Sequence, residues 1–302
     1  MEKVIIIGAG PAGISAALYA VRGNLDPLVI NNGIGALEKA EKIENYYGLE
    51  HPLSGQELYD TGIAQAKALG VRMLDAQVLG VGGFDTFVVK TTEGDFETQS
   101  LILATGSKRA APKIPGVKEF EGKGVSYCAI CDAFFYRGKD VAVLGNGDFA
   151  MHEAKELSNT ASTVTIYTNG EEPEFTPEGN ISVNTMKIQS VEGDDLVSGI
   201  RLAPDVQAQE MSADADQQVN DFCPADGVFI AMGTAGSTEI ARQMGAELTE
   251  KGNIKVNENM ETTIPGLYAA GDCTGGLLQV AKAVYEGAQA GINAGKYVRS
   301  LK

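Results

Sequence analysis

Val4 to Ile7 is a continuous apolar run, the pattern of a short strand buried on both faces of a parallel sheet. Gly8-Ala9-Gly10-Pro11-Ala12-Gly13 interrupts it, after which Ile14, Ala17, Leu18 and Val21 recur at helical spacing until Gly23-Asn24. Pro27 to Ile30 supplies the next strand, so the chain opens on a β-α-β unit with GxGxxG in its first turn. The design repeats mid-chain. Asp140 to Leu144 predicts a strand, Gly145-Asn146-Gly147-Asp148-Phe149-Ala150 a turn, Met151 to Leu157 a helix and Thr163 to Tyr167 another strand. Between Glu171 and Phe222 polar residues crowd and the periodicity fades, which predicts short antiparallel strands and loops. Strand character returns at Val228 to Met232 and at Leu267 to Asp272, and a helix is predicted from about Leu278.

These elements predict an α/β fold of two Rossmann-like domains, doubly wound and of the three-layer ββα type. Pro112 to Gly116 and Pro224 to Gly227 punctuate the chain on either side of the second unit. The expected domains are therefore a discontinuous one, 1–112 with 226–302, and an inserted one, 113–225. The two crossings are also the expected hinges for a rotation between them.

Composition narrows the function. The 302 residues, 44% of them apolar, suffice for two cores. Forty acidic against 24 basic residues give a net charge of -16, which disfavours attraction to nucleic acid or anionic lipid. No apolar run approaches the ~20 residues of a membrane span, and the amino terminus enters a strand at once, so a cytoplasmic, soluble protein is expected.

Two features carry chemistry. In the first turn only glycine lets backbone approach a pyrophosphate, and the helix start beyond it offers unpaired N–H groups. Cys128-Ala129-Ile130-Cys131-Asp132 is a CxxC with a carboxylate attached, a spacing suited to redox exchange. Asp132 is the natural general acid for a leaving thiolate, or a simple helix cap. Half a zinc site is the alternative for the cysteines. It would need two further ligands from Cys223, Cys273, His51 and His152, no two of which form a close pair, so no metal is expected. Cys223 and Cys273 sit beside strand-like segments as expected bystanders.

Gly8 to Gly13, Glu44-Asn45-Tyr46-Tyr47-Gly48, Ala104-Thr105-Gly106-Ser107, Cys128 to Asp132 and Ala270-Gly271-Asp272 together resemble, in order, the signatures of low-molecular-weight thioredoxin reductases. The resemblance implies a homodimeric FAD enzyme whose dithiol reduces thioredoxin or a related disulfide protein. Carried over by position, the FAD residues are Gly8, Gly10, Pro11, Ala12, Gly13, Asn45, Ala104, Thr105, Gly106, Gly271, Asp272, Gln279, Val280 and Ala281. Ala281 would lie under the isoalloxazine, Cys131 would face the flavin and Cys128 would attack the substrate. Asn31 stands where an acidic residue for the adenosine ribose is common, and its amide remains able to hydrogen-bond.

The second turn departs further. Where basic residues normally hold a 2′-phosphate, this chain reads Tyr167-Thr168-Asn169-Gly170-Glu171-Glu172, which disfavours NADPH. Tyr127 to Tyr136 and Gly271 to Gly276 resemble the ferredoxin-dependent flavin thioredoxin reductases, which implies ferredoxin as electron donor. Lys282, Lys296, Arg299 and Lys302 are the candidate cations for docking it. Alternatives are an NADH-dependent reductase, a relative with a second flavin, a dithiol oxidase and a non-enzymatic flavin redox sensor.

Overall fold

In the computed structural model the opening apolar run becomes β1 (Glu2–Ile7), fully buried from Val4 to Ile6, and the glycine turn leads into α1 (Pro11–Arg22). The structure describes residues 1–83, 85–106, 112–204, 221–232 and 236–301; the side chains of residues 130 and 131 also lie outside the description. The chain continues through β2 (Leu28–Asn31), α2 (Gly55–Ala68), β3 (Arg72–Asp75), β4 (Val78–Gly82), β5 (Phe87–Thr91) and β6 (Gly94–Leu103). Next come β7 (Val125–Ser126), α3 (Ala129–Asp132), β8 (Asp140–Leu144), α4 (Asp148–Ser158) and β9 (Thr163–Tyr167). Then follow β10 (Ser182–Asn184), β11 (Ile188–Gly193), β12 (Val197–Leu202), β13 (Phe222–Pro224) and β14 (Gly227–Ile230). The last are α5 (Ser237–Gln243), β15 (Leu267–Ala269) and α6 (Val280–Ser300).

Two compact units result, Met1–Arg109 with Ala235–Lys302, and Ala110–Thr234. The first is built on parallel strands in the order β3-β2-β1-β6, with β15 pairing the far side of β6. The earlier half of β6 pairs antiparallel with β5, and β5 with β4. A capping box starts α2, in which Ser54 and Glu57 satisfy each other's backbone N–H groups. Helices α1 and α6 nearly touch. A methyl group on Gly287 or Gly291 would stand 2.0 or 2.2 Å from the carbonyl oxygens of Ala12 and Ala16. Their small residues, with Val4, Ile6, Val29, Ile102 and Tyr268, form the core of this unit.

The second unit repeats the plan with all-parallel strands β10-β9-β8-β14-β7 and a separate antiparallel sheet β11-β12-β13. Val125, Leu144, Ile200 and Val228 lie at its core. The expected boundary near 226 is corrected here. The strand beginning at Gly227 pairs with β8 and β7 inside this unit, and the Tyr136 ring packs over Gly227 and edge-on against Phe229 at 5.1 Å. Pro224 is no hinge. It ends β13, the edge strand of the small sheet, where a missing N–H costs no ladder bond. The first crossing, 107–111, and part of the second, 233–235, lie outside the described residues. No helix among the described residues is long and apolar enough to cross a membrane.

Candidate redox and dinucleotide sites

The first glycine turn shows three separate uses of glycine. Gly8 has φ +106°, and a methyl group there would stand 2.4 Å from the Ala104 carbonyl oxygen. A methyl on Gly13 would stand 1.8 Å from the Gly8 carbonyl oxygen, so only glycine lets helix and strand close up. Gly10 differs: among the described residues, nothing lies within 4 Å of its missing side chain. It is the N-cap of α1, offers no capping side chain, and is followed by Pro11 and a first turn without acidic residues. An open cradle with free N–H groups at a helix start fits a pyrophosphate. Ala12 is buried and comes close to Gly271, which brings the carboxy-terminal Ala270-Gly271-Asp272 motif onto this cradle.

The remaining sequence-derived cofactor residues have partners of their own. Asn45 Nδ2 donates to Gln279 Oε1 at 3.1 Å, joining two of them across 234 residues. Gln279 is the N-cap of α6, so Val280 and Ala281 open a second long helix whose start carries no side-chain cap. Ala104 donates its N–H to Ile7, which fixes the strand end from which Thr105 and Gly106 leave. Thr105 also holds a helix in place. Its hydroxyl and N–H both bond Ser237 at the start of α5, making it a tether for that helix. Asn31 also has partners: its Nδ2 donates to Asp75 Oδ1 at 2.7 Å and its Oδ1 accepts from Tyr59 at 2.8 Å.

Beneath the Gly271 turn lies a polar cluster that sequence reading missed. Lys282 Nζ donates to the carbonyls of Gly271 and Gly275 and to Thr274, and pairs with Glu286 Oε2 at 3.0 Å. Glu286 accepts the Gly271 N–H at 2.8 Å. Lys282 is therefore withdrawn from the docking cations. Its side chain is only 15% exposed and its ammonium is committed to the turn. The i, i+4 spacing of Lys282 and Glu286 was the available signal. Burial raises the Asp272 carboxyl above its usual range, with Lys282 opposing the shift and Glu286 adding to it. Lys296 and Arg299 are exposed, and Lys302 lies outside the described residues. Burial pushes the free Cys273 thiol up to about 12, as suits a bystander.

In the second unit, Cys128 is disulfide-bonded and 3% exposed. Cys131 lies in α3. Asp132 ends that helix, and its carboxylate caps nothing. Instead Ser126 Oγ donates to Asp132 Oδ2 at 2.6 Å while accepting the Cys128 N–H at 3.1 Å. Ser126 thus ties the acid to the cysteine backbone, a role the sequence hinted at only by a hydroxyl two residues before the CxxC. The adjoining Phe134 and Phe135 are exposed.

The second glycine turn is crowded with acid. Gly147 is the N-cap of α4, and Asp148 follows in its first turn. Glu174 donates its N–H to the Asn146 carbonyl at 2.7 Å, and its Oε2 lies 4.0 Å from the position a Gly147 methyl would take. Glu171 accepts from Asn146 Nδ2 at 3.4 Å. Of the two glutamates that follow β9 directly, Glu171 touches the turn, and Glu174, three residues further on, reaches it as well.

Residues 2–287 match the pyridine nucleotide-disulphide oxidoreductase family. The chain is 38% identical to the atypical thioredoxin reductase TRi from Desulfovibrio vulgaris Hildenborough, with a TM-score of 0.88 over 99% of both chains. A ferredoxin-flavin thioredoxin reductase from Clostridium acetobutylicum is 30% identical with a TM-score of 0.69, covering 99% of this chain and 98% of that one. A thioredoxin reductase from Aquifex aeolicus is 36% identical over 284 residues, 89% of this chain and 84% of the relative.

Proposed function

The chain belongs to the pyridine nucleotide-disulphide oxidoreductase family and, within it, to the low-molecular-weight thioredoxin reductases; from that premise we propose that this flavoprotein disulfide oxidoreductase takes electrons from reduced ferredoxin and delivers them to thioredoxin or a related disulfide protein. FAD is the cofactor of the family, and the open cradle at Gly10 fits it. When bound, it supplies exchange between one-electron and two-electron chemistry.

The observation that carries the choice of donor is the acidic second turn. Asp148 opens α4, Glu171 bonds the Asn146 side chain and Glu174 Oε2 lies 4.0 Å from the Gly147 methyl position, all at the turn that would receive a dinucleotide pyrophosphate. Carboxylates about 4 Å from a phosphate repel it by on the order of 1 to 4 kcal/mol each. The similar Clostridium protein, named for ferredoxin and flavin, supports the same donor. An NADPH reading would have to rest on Lys187, whose stem passes 3.6 Å from a methyl position on Gly170.

Substrate reduction is assigned to Cys128 and Cys131. With both reduced, the Cys128 thiolate attacks the substrate disulfide and Cys131 resolves the mixed disulfide. One S–S bond forms in the enzyme as one breaks in the substrate. Asp132, oriented by Ser126, protonates the departing sulfur. Cys128 is buried, so a protein substrate reaches it only after it is uncovered. The functional protein is a homodimer on this reading, and Leu277, Leu278, Tyr285 and Ile292 supply exposed apolar surface for it.

Anaerobic titration followed by flavin absorbance tests the donor. Reduced ferredoxin should bleach the flavin within turnover time, with NADPH and NADH ineffective. Rapid bleaching by either nucleotide and none by ferredoxin overturns the reading.

A further inference from the structure

Glu153 lies on α4, outside every motif described above, and is 1% exposed. Its Oε2 accepts the backbone N–H of Ala129 at 2.6 Å, the amide that follows Cys128 and opens α3. Among the described residues its Oε1 has no hydrogen-bond partner; it stands 3.6 Å from Nδ1 of His152, whose Nε2 lies 3.8 Å from Glu156 Oε1. A buried carboxylate with one oxygen unsatisfied is costly, and an apolar side chain would close α4 against its neighbours without that cost. The contact with Ala129 explains what the cost achieves.

A cysteine beside free backbone N–H groups at a helix start ordinarily has its thiolate favoured. Here the amide next to Cys128 is already held by a carboxylate. We propose that Glu153 is a positioning residue for the dithiol, fixing the start of α3 through Ala129 and, by its charge, disfavouring thiolate at Cys128. The dithiol is then a stronger reductant than the same CxxC without that charge, because the reduced form loses thiolate stabilisation while the disulfide does not. In exchange with dithiothreitol the protein S–S bond breaks and the reagent S–S bond forms. Two electrons and two protons pass from reagent to protein.

The proposal rests on Cys128 and Cys131 as the redox pair, and one experiment separates the two claims. The FAD-loaded protein is equilibrated anaerobically at pH 8 with dithiothreitol redox buffers and quenched in acid. Thiols are then counted by mass after alkylation under denaturing conditions. Glu153→Gln keeps an oxygen for the Ala129 N–H and loses the charge. It should shift the equilibrium about five- to tenfold toward the dithiol. Glu153→Asp keeps the charge and should stay within about twofold of the wild type. A wild-type equilibrium in Glu153→Gln, or an equal shift in Glu153→Asp, overturns the role of Glu153. A wild-type protein in which these two cysteines never exchange overturns the redox pair instead.

Discussion

The two glycine turns of this chain share a local design and differ in what stands over them. At Gly10 the cradle is open, the first turn of α1 has no acidic residue, and the missing side chain faces no atom of the described residues within 4 Å. At Gly147 the corresponding position meets Glu174, Asp148 opens the helix, and Glu171 bonds the intervening Asn146. Both units use parallel strands in matching order, β3-β2-β1-β6 and β10-β9-β8-β14, so the backbone plan alone does not separate them. Glycines are therefore ambiguous witnesses. They report that strand and helix approach closely, and a dinucleotide additionally requires the space above them to be empty and free of negative charge.

The largest effect should come from breaking the open turn. Gly13→Ala forces a methyl group against the Gly8 carbonyl. It should cost on the order of 3 kcal/mol and yield protein without FAD, measured by melting temperature and flavin absorbance. The matching change in the other turn, Ala150→Gly, should cost about 1 kcal/mol and leave FAD content unchanged. Gly10→Ala sharpens the contrast, because its backbone is extended and no described residue crowds it. Melting of the FAD-free chain should be unaffected while FAD affinity falls about tenfold or more, read by fluorescence titration.

A smaller gain is expected from opening the closed turn. Glu171→Gln with Glu174→Gln removes two carboxylates and should raise NADH affinity about tenfold by calorimetry, with flavin content constant. No gain would show that the acid does not keep the nucleotide out.

The smallest effect lies away from both turns, in the alkaline stability of the first unit. The folded chain keeps the Cys273 proton between 9.0, the thiol's ordinary value, and about 12, whereas the unfolded chain releases it. Folding stability contributed by this thiol is thus full below pH 9 and lost as pH rises through that window. Burial raises Tyr268 in the same sense, so Cys273→Ala should flatten only part of the fall in melting temperature above pH 9.

Much of the fold was legible because its signals are local. β8 and β9 match the expected strands residue for residue, and α1 and α4 begin within three residues of theirs. The polar stretch after Glu171 was legible only as short strands, since burial there depends on partners far along the chain. β14 reads as a strand from its sequence, but its unit does not. Its four residues are all buried in a run that suits either sheet, and pairing with β8 decides the matter. In the candidate sites the CxxC, the glycines and Asp272 were readable as motifs. Ser126, Ser237, Glu153 and Glu174 were not, because serine and glutamate are common surface residues until a fold turns them inward.

Two β-α-β units, two glycine turns, and a dithiol next to an acid are all written in the order of residues alone. Each follows from sterics and periodicity acting over a few neighbouring residues. Which turn is open, which sheet receives β14, and which side chains meet the functional segments emerge only from the packing of distant elements. Asn45 reaches Gln279 across 234 residues and Glu153 reaches Ala129 across 24. Such meetings depend on how whole elements pack, which local pattern does not encode.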